Sequence, residues 1–281
     1  MNERYLELSL GRARVLETGS GTPLLMLHGM GLSNSANTFD TIAPLLATRY
    51  RVIAPDLLGF GKGTRTVEDG PTFELMVEHL RELMDTLELA RAVVVGHSMG
   101  GWTGVHLAYQ SPDRVAKLVL LNAAGLNAQI APGIGGLSEV PALEALRAQV
   151  HREFRDKAKA ADALVDRIAR TQHEMLSQPN ALRSLDPLLR IMQSPALRAR
   201  VLLHRRIGRV KAPALVVWGT GDPMDPYPTW NEEYERLGGD MSRSTKPWVI
   251  PGARHVRFDT GHYTHWEQPE ALARLITEFV G

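Results

Sequence analysis

The stretch RAVVVGHSMGGWTG, Arg91 to Gly104, constrains the fold more than any other part of the chain. Ala92 to Val95 is short and fully apolar, the length and texture of a strand buried on both faces. The run stops at Gly96, and helical spacing is expected from Met99 to about Tyr109. Between them, Gly96-His97-Ser98-Met99-Gly100 matches G-x-S-x-G, a pattern that lifts a serine above a sheet on a sharp strand-to-helix turn. Glycines two residues either side let the two backbones pack closely. The serine then stands at a helix N-terminus, where amides and dipole favour developing negative charge. Ser98 is therefore a candidate nucleophile. The alternative is a Gly-rich turn that happens to hold a serine.

The rest of the chain supplies the sheet this turn needs. Leu24 to Leu27, Val52 to Ala54, Val115 to Leu121 and Ala214 to Trp218 are further short apolar runs. Helical stretches such as Thr72 to Leu89 lie between them, and this alternation predicts a parallel sheet covered on both faces. Ahead of it, Tyr5 to Leu10 and Arg12 to Leu16 alternate around Gly11 and read as an antiparallel pair with one face wet. From about Gly125 to Val210 no buried strand is expected. A Gly/Pro-rich loop (Pro132, Gly133, Gly135, Gly136, Pro141) leads into helical spacing from Leu143 through Ile168, and Pro179, Pro187 and Pro195 punctuate shorter helices. Leu143 to Lys211 is net basic while the remainder of the chain is net acidic, a pattern read as solvated helix faces.

Composition narrows the function classes. The 281 residues are 44% hydrophobic and 22% charged, as in a soluble globular chain, and suffice for one large domain or a core with an insert. A formal net charge of +1 gives no global case for nucleic acid or a membrane surface. The absence of cysteine removes disulfides, thiolate catalysis and Cys-based zinc sites. The N-terminus lacks the apolar segment of a secretory signal, so a cytoplasmic protein is expected.

A serine needs a base, and the base an orienting acid, in the chain order Ser, Asp/Glu, His. After Ala214 to Trp218 comes Gly219-Thr-Gly-Asp-Pro-Met-Asp-Pro226, with Asp222 favoured over Asp225 and Asn122 a weaker candidate. Of ten histidines, His262 is the best base. It follows a plausible last strand, the loop Pro251 to Thr260 and Gly261, and precedes a final helix from Pro269 to Phe279. His265, His255 and His28 read as structural. Trp266 and Glu267 read as packing that anchors the loop. The oxyanion donors are expected to be the amides of Met99 and Met30, the latter within His28-Gly29-Met30-Gly31.

These residues resemble the α/β-hydrolase superfamily. HGMG (His28 to Gly31), DLLGFGKG (Asp56 to Gly63), GHSMGG (Gly96 to Gly101), WGTGDPMDP (Trp218 to Pro226) and GHYTHWEQPE (Gly261 to Glu270) follow in family order across nearly the whole core. The resemblance implies an α/β-hydrolase fold, a mostly parallel eight-stranded sheet with helices on both faces. On that reading 1–124 and 211–281 form the core and 125–210 a helical cap. It implies Ser98 as nucleophile, His262 as base and Asp222 as acid, with no cofactor and no metal. Within the superfamily the chain looks toward the meta-cleavage-product hydrolases, which split a C–C bond in vinylogous diketone acids from aromatic degradation. SNSANTF after HGMG, SMGG and the Trp-Glu pair carry that likeness. In the cap that family has an arginine for the substrate carboxylate, and Arg170 is the nearest match, suited to a bidentate clamp. Gly29, Gly31, His97, Arg170, Tyr263 and Trp266 are the substrate-binding residues this implies. His97 stands where the family usually has Asn, and Tyr263 where it has Trp.

The expected partner is a small-molecule acyl or diketone-acid substrate, with no nucleic acid and no membrane; a homodimer is compatible with the reading. A general carboxylesterase and a non-catalytic ligand receptor on the same fold remain as alternatives.

Overall fold

Strands that are apolar at successive positions must be covered on both sides, and the chain meets that demand with one sheet between two layers of helix. A computed structural model describes residues 1–65, 70–126, 136–203, 206–222, 233–246 and 249–281. The strands are β1 (Asn2–Leu6), β2 (Ala13–Thr18), β3 (Thr22–Leu27), β4 (Tyr50–Pro55), β5 (Ala92–His97), β6 (Val115–Leu121), β7 (Ala214–Gly219) and β8 (Arg254–Phe258). Their order in the sheet is β1-β2-β4-β3-β5-β6-β7-β8. β2 pairs antiparallel with β1 and with β4, and every other pairing is parallel.

Side chains alternate between two buried clusters, as the period of a strand requires. Leu25, Leu27, Val94, Leu118, Leu120 and Val216 face one layer, with α2 (Phe73–Thr86) and α3 (Met99–Gln110) packed on them. Leu24, Met26, Val93, Val95, Val119 and Val217 face the other, covered by α1 (Ala43–Leu46) and the final helix, Pro269–Val280. Thr72 caps α2 by accepting the amide of Leu75 at 3.2 Å, satisfying one of the donors that a helix start leaves open.

Three sequence expectations are adjusted. The N-terminal pair is antiparallel, but β1 ends at Leu6. Leu8 turns inward, and Ala13 to Leu16 are buried on both faces, so only β1 is wet. Pro251 to Thr260, expected as a loop, contains β8. Arg254 and Arg257 disguise it because it is an edge strand. The helical spacing from Leu143 to Ile168 is broken into α4 (Leu143–Glu153) and α5 (Asp162–Leu176). At the break, Lys157 Nζ donates to the carbonyls of His151, Arg152 and Phe154, ending α4 with a cation.

Between β6 and β7 lie α4, α5, α6 (Asp186–Gln193) and α7 (Pro195–Val201). Among the described residues this stretch has no apolar cluster confined to itself. Leu146, Val150, Phe154, Val165 and Ile168 pack with Leu32, Tyr263 and Trp266, while Leu188, Met192 and Val201 join the main core. Polar straps add to this. The Arg65 guanidinium donates to the carbonyls of Gly59 (3.4 Å) and Gly61 (2.6 Å) on one side, and of Met175 (2.9 Å) and Ala181 (3.4 Å) on the other. Burial lowers its pKa to about 10, which leaves it charged at neutral pH. Lys62 pairs with Glu174 at 2.7 Å beside it.

The DLLGFGKG motif is explained by one buried carboxylate. Asp56 accepts from the amides of Ala36 and Lys62, each at 2.8 Å, and pairs with Arg14 at 3.1 Å. Arg14, itself 3% exposed, also bonds Glu3 and Asn37. Gly61 must lack a side chain, since a Cβ there would lie 1.9 Å from the Asp56 carboxyl. Removing one partner of a buried pair strands the other charge, at a cost of about 3–5 kcal/mol. Asp56→Ala is therefore expected to lose stability of that order in urea titration, with an m-value matching the parent chain.

Candidate active site

The turn after β5 has the strain its sequence demands. Ser98 holds φ 52° and ψ −118°, outside the regions favoured by residues with a Cβ, and such conformations persist only when their surroundings impose them. The surroundings are backbone. The Ser98 amide donates to Leu121 O at 3.0 Å, and Ser98 O accepts from the amides of Ala124 (3.0 Å) and Trp102 (3.1 Å). A Cβ on Gly96 would lie 2.5 Å from Gly100 O, and one on Gly101 2.5 Å from Ala123 Cβ. A Cβ on Gly100 would meet Leu27 O at 2.1 Å and His28 O at 2.5 Å. The nucleophile turn and the HGMG loop are thus in backbone contact.

That loop is set by His28, which is fully buried. Its Nδ1 lies 2.7 Å from Gly29 O, and its Nε2 accepts the amide of Leu57 at 2.9 Å. Accepting at Nε2 fixes the proton on Nδ1, so the ring is a neutral strut between the loops after β3 and β4. Met30 follows in extended conformation, and Gly31 turns with φ 71°.

The residues expected as base and acid are in direct contact. His262 Nδ1 lies 2.7 Å from Asp222 Oδ2, with both side chains buried. Asn122, at the end of β6 with φ 44°, donates from Nδ2 to the same carboxylate oxygen at 2.8 Å. Thr264 Oγ1 donates to Asn122 Oδ1 at 3.2 Å, and Thr260 and Thr264 share a further bond at 2.8 Å. Asn122 thus backs the acid and does not replace it. Asp225 lies outside the described residues.

His97 links the two sides. It precedes Ser98 in the chain, and its Nε2 lies 3.0 Å from the carbonyl of His262. Its ring sits 4.8 Å from that of His262 and 4.6 Å from that of His265. It is fully buried against the His262 ring, which leaves it no surface to offer a substrate. Burial, then the neighbouring His265 and His262, hold its pKa well below the usual histidine value. His265 bonds Thr38 Oγ1 at 2.9 Å and is pushed down to about 3, by burial first and His262 second. Tyr263 stacks on Trp266 at 3.9 Å, and Trp266 Nε1 donates to Thr38 O at 3.0 Å. Both rings are nearly buried and wall the histidine loop.

Glu267 has a role that motif reading reduced to packing. Its carboxylate accepts the amides of Gly261 (2.6 Å), Arg155 (3.0 Å) and Asp156 (3.2 Å), tying the loop that carries His262 to the end of α4. Gln172, which the sequence did not single out, reaches from α5 to Gly31 O at 2.6 Å. Arg170 is not brought to the others. Its side chain is 64% exposed, and its guanidinium pairs with Asp166 at 2.6 Å, one turn earlier on α5. A small cleft opens between α5 and the loop after β3, lined by Leu32, Thr38, Arg167, Thr171 and Trp266 among others.

The buried histidines give the site an acid sensitivity with a definite sign. Above about pH 6.5 His265 is neutral in both folded and unfolded chains, and its contribution is fully present. As pH falls toward about 3, the unfolded chain binds a proton that the folded ring refuses, so stability drops by about 1.4 kcal/mol per pH unit. Urea midpoints measured from pH 7 to pH 4 are expected to fall less steeply for His265→Gln than for the parent.

A family model described as the alpha/beta hydrolase fold matches residues 22–269. A 2-hydroxy-6-oxononadienedioate/2-hydroxy-6-oxononatrienedioate hydrolase of Paraburkholderia xenovorans is 31% identical over 277 residues, covering 94% of this chain and 89% of that one. A 2-hydroxymuconate semialdehyde hydrolase of a Pseudomonas species is 27% identical, covering 96% and 90%. Among solved structures, the meta-cleavage product hydrolase of Pseudomonas fluorescens superposes with a TM-score of 0.79 at 26% identity, covering 99% and 97%.

Proposed function

The chain belongs to the α/β-hydrolase fold family, and from that premise we propose that it is a serine hydrolase acting through Ser98, His262 and Asp222. The observation that carries the proposal is the 2.7 Å bond from His262 to Asp222, together with a serine held at φ 52° on a strand-to-helix turn whose preceding residue, His97, bonds the His262 carbonyl. In this reading His262 takes the Ser98 proton as the hydroxyl attacks a carbonyl carbon. Asp222, fixed in turn by Asn122, orients the ring and stabilises the imidazolium. The amides of Met99 and Met30 receive the oxyanion, on loops in backbone contact through Gly100. His262 then returns the proton to the leaving group and activates water for deacylation.

The substrate class we infer is a vinylogous 1,5-diketone acid of the kind named for the relatives, cleaved at a C–C bond. Cleavage there requires the dienol to become a ketone first, so that the leaving carbon departs as a stabilised carbanion. His262 is the group placed to move that proton. The segment 125–210 is read as a cap over the site, anchored by Arg65, Glu267 and Gln172.

One observation favours a second reading. Arg170, the expected carboxylate clamp, spends its charge on Asp166 at the surface. A neutral ester would need no such clamp. The two are separated by a panel of a 2-hydroxy-6-oxo-dienoate against p-nitrophenyl esters, scored by kcat/KM. Preference for the dienoate supports C–C hydrolysis, and preference for the ester supports an esterase. Ser98→Ala is expected to lower turnover of the preferred substrate by about 10³-fold or more. It should also abolish stoichiometric fluorophosphonate labelling. A parent chain that neither labels nor turns over any substrate would be the receptor, not the enzyme. Arg170→Ala is expected to leave KM for the dienoate within about twofold, since a surface ion pair contributes about 0–1 kcal/mol. A tenfold rise would restore the clamp.

A further inference from the structure

The buried carboxamide of Gln172 is poorly explained as packing. The residue is 4% exposed on the inner face of α5, between the buried Ala169 and Met175. Its Nε2 donates to Gly31 O at 2.6 Å, across 141 residues of chain. Its Oε1 is buried and has no hydrogen-bond partner among the described residues. A carboxamide with one half unsatisfied costs more to bury than a leucine of similar size. If filling space were the requirement, an apolar side chain would meet it better.

What the amide holds is the start of the 3-10 turn Gly31–Ser33, directly after Met30. Gly31 is in the left-handed region, at φ 71°, and among the described residues no heavy atom lies within 4 Å of where its Cβ would be. The neighbours Met30 and Leu32 pack through their side chains, and at Gly31 itself the Gln172 bond is the tertiary hold. The preceding residue is Met30, whose amide is the proposed second oxyanion donor. Oxyanion donors act through fixed geometry, and small misplacements are costly.

We propose that Gln172 is a positioning residue for the oxyanion hole, setting the Met30 amide through the Gly31 carbonyl and so coupling the hole to α5. The proposal rests on the reading of Ser98 as nucleophile and Met30 as donor given above. It makes α5 part of the catalytic geometry: displacing that helix relaxes the hole, and seating it restores the hole.

The test uses the full chain carrying Gln172→Leu, with Gln172→Met as a second variant should the first fail to fold. Each is assayed on a p-nitrophenyl oxoester and its thionoester, where sulfur is a poor acceptor for oxyanion donors. The expected result is kcat on the oxoester about 10- to 100-fold lower, KM within about twofold, and a reduced oxo-to-thiono rate ratio. Tm should be unchanged or raised, because the unsatisfied carboxamide has gone. An unchanged kcat, an equal loss on both esters, or a loss that tracks a lower Tm would overturn the proposal. Fluorophosphonate labelling keeps this separate from the parent reading. If the unaltered chain is not labelled at Ser98, the nucleophile assignment fails and this inference with it. If it is labelled while both variants match it kinetically, the Gln172 inference alone fails.

Discussion

The close approach of three backbone segments around Gly96, Gly100 and Gly101 is the constraint on which the rest depends. A Cβ on Gly100 would stand 2.1 Å from Leu27 O, which no rearrangement of side chains could relieve. Because that space is empty, α3 begins directly above β3 and β5. Ser98 is then forced to positive φ, and the HGMG loop lies against the helix start. The strain at Ser98 is held by hydrogen bonds to Leu121, Trp102 and Ala124, and these belong to the core elements β6 and α3 and the β6 end. A stable sheet is what keeps the hydroxyl raised.

Around that point the polar groups form two opposed sets of supports. On one side, His28 spans the loops after β3 and β4, and Asp56 with Arg14 fixes the latter. On the other, Asn122, Thr264 and Thr260 form a chain behind Asp222, while Glu267 fastens the histidine loop. His97 joins the two by bonding the His262 carbonyl from the residue next to Ser98. Its neutrality matters, since a charged imidazole there would face two other histidine rings without water.

What the sequence disclosed and what it hid follow from one distinction. Features encoded by local pattern were legible: the buried runs that became β3 to β7, the helix after Ser98, and the pairing of Asp222 with His262. These depend on residues near in sequence or on a fixed motif order. The last strand, β8, lies within the stretch expected as loop, because an edge strand carries charge where a central one is apolar, and Arg254 and Arg257 read as loop. The break between α4 and α5 was missed because Glu267, more than 110 residues away in sequence, takes the amides that follow α4. Gln172 gives no usable signal for the same reason, since a lone amide has no period, whereas Asn122 is marked by its place after a buried run but not by its partner Asp222. Arg170 was chosen by likeness to a family, and helix phase turned it outward. The buried neighbours Ile168, Ala169 and Gln172 share the inner face, and Arg170 falls between them on the outer one.

The strap made by Arg65 has a consequence for how such a chain can change over generations. Its guanidinium grips four peptide carbonyls, two in the loop after β4 and two in the helical stretch. A carbonyl is present at every position whatever the residue. The strap therefore recognises where the backbone runs and is indifferent to the letters written on it. Met175 and Ala181 could be replaced without loosening that grip, and so could much of the surface around them. The purchase of the helical stretch on the loop after β4 is thereby set by the course of its backbone.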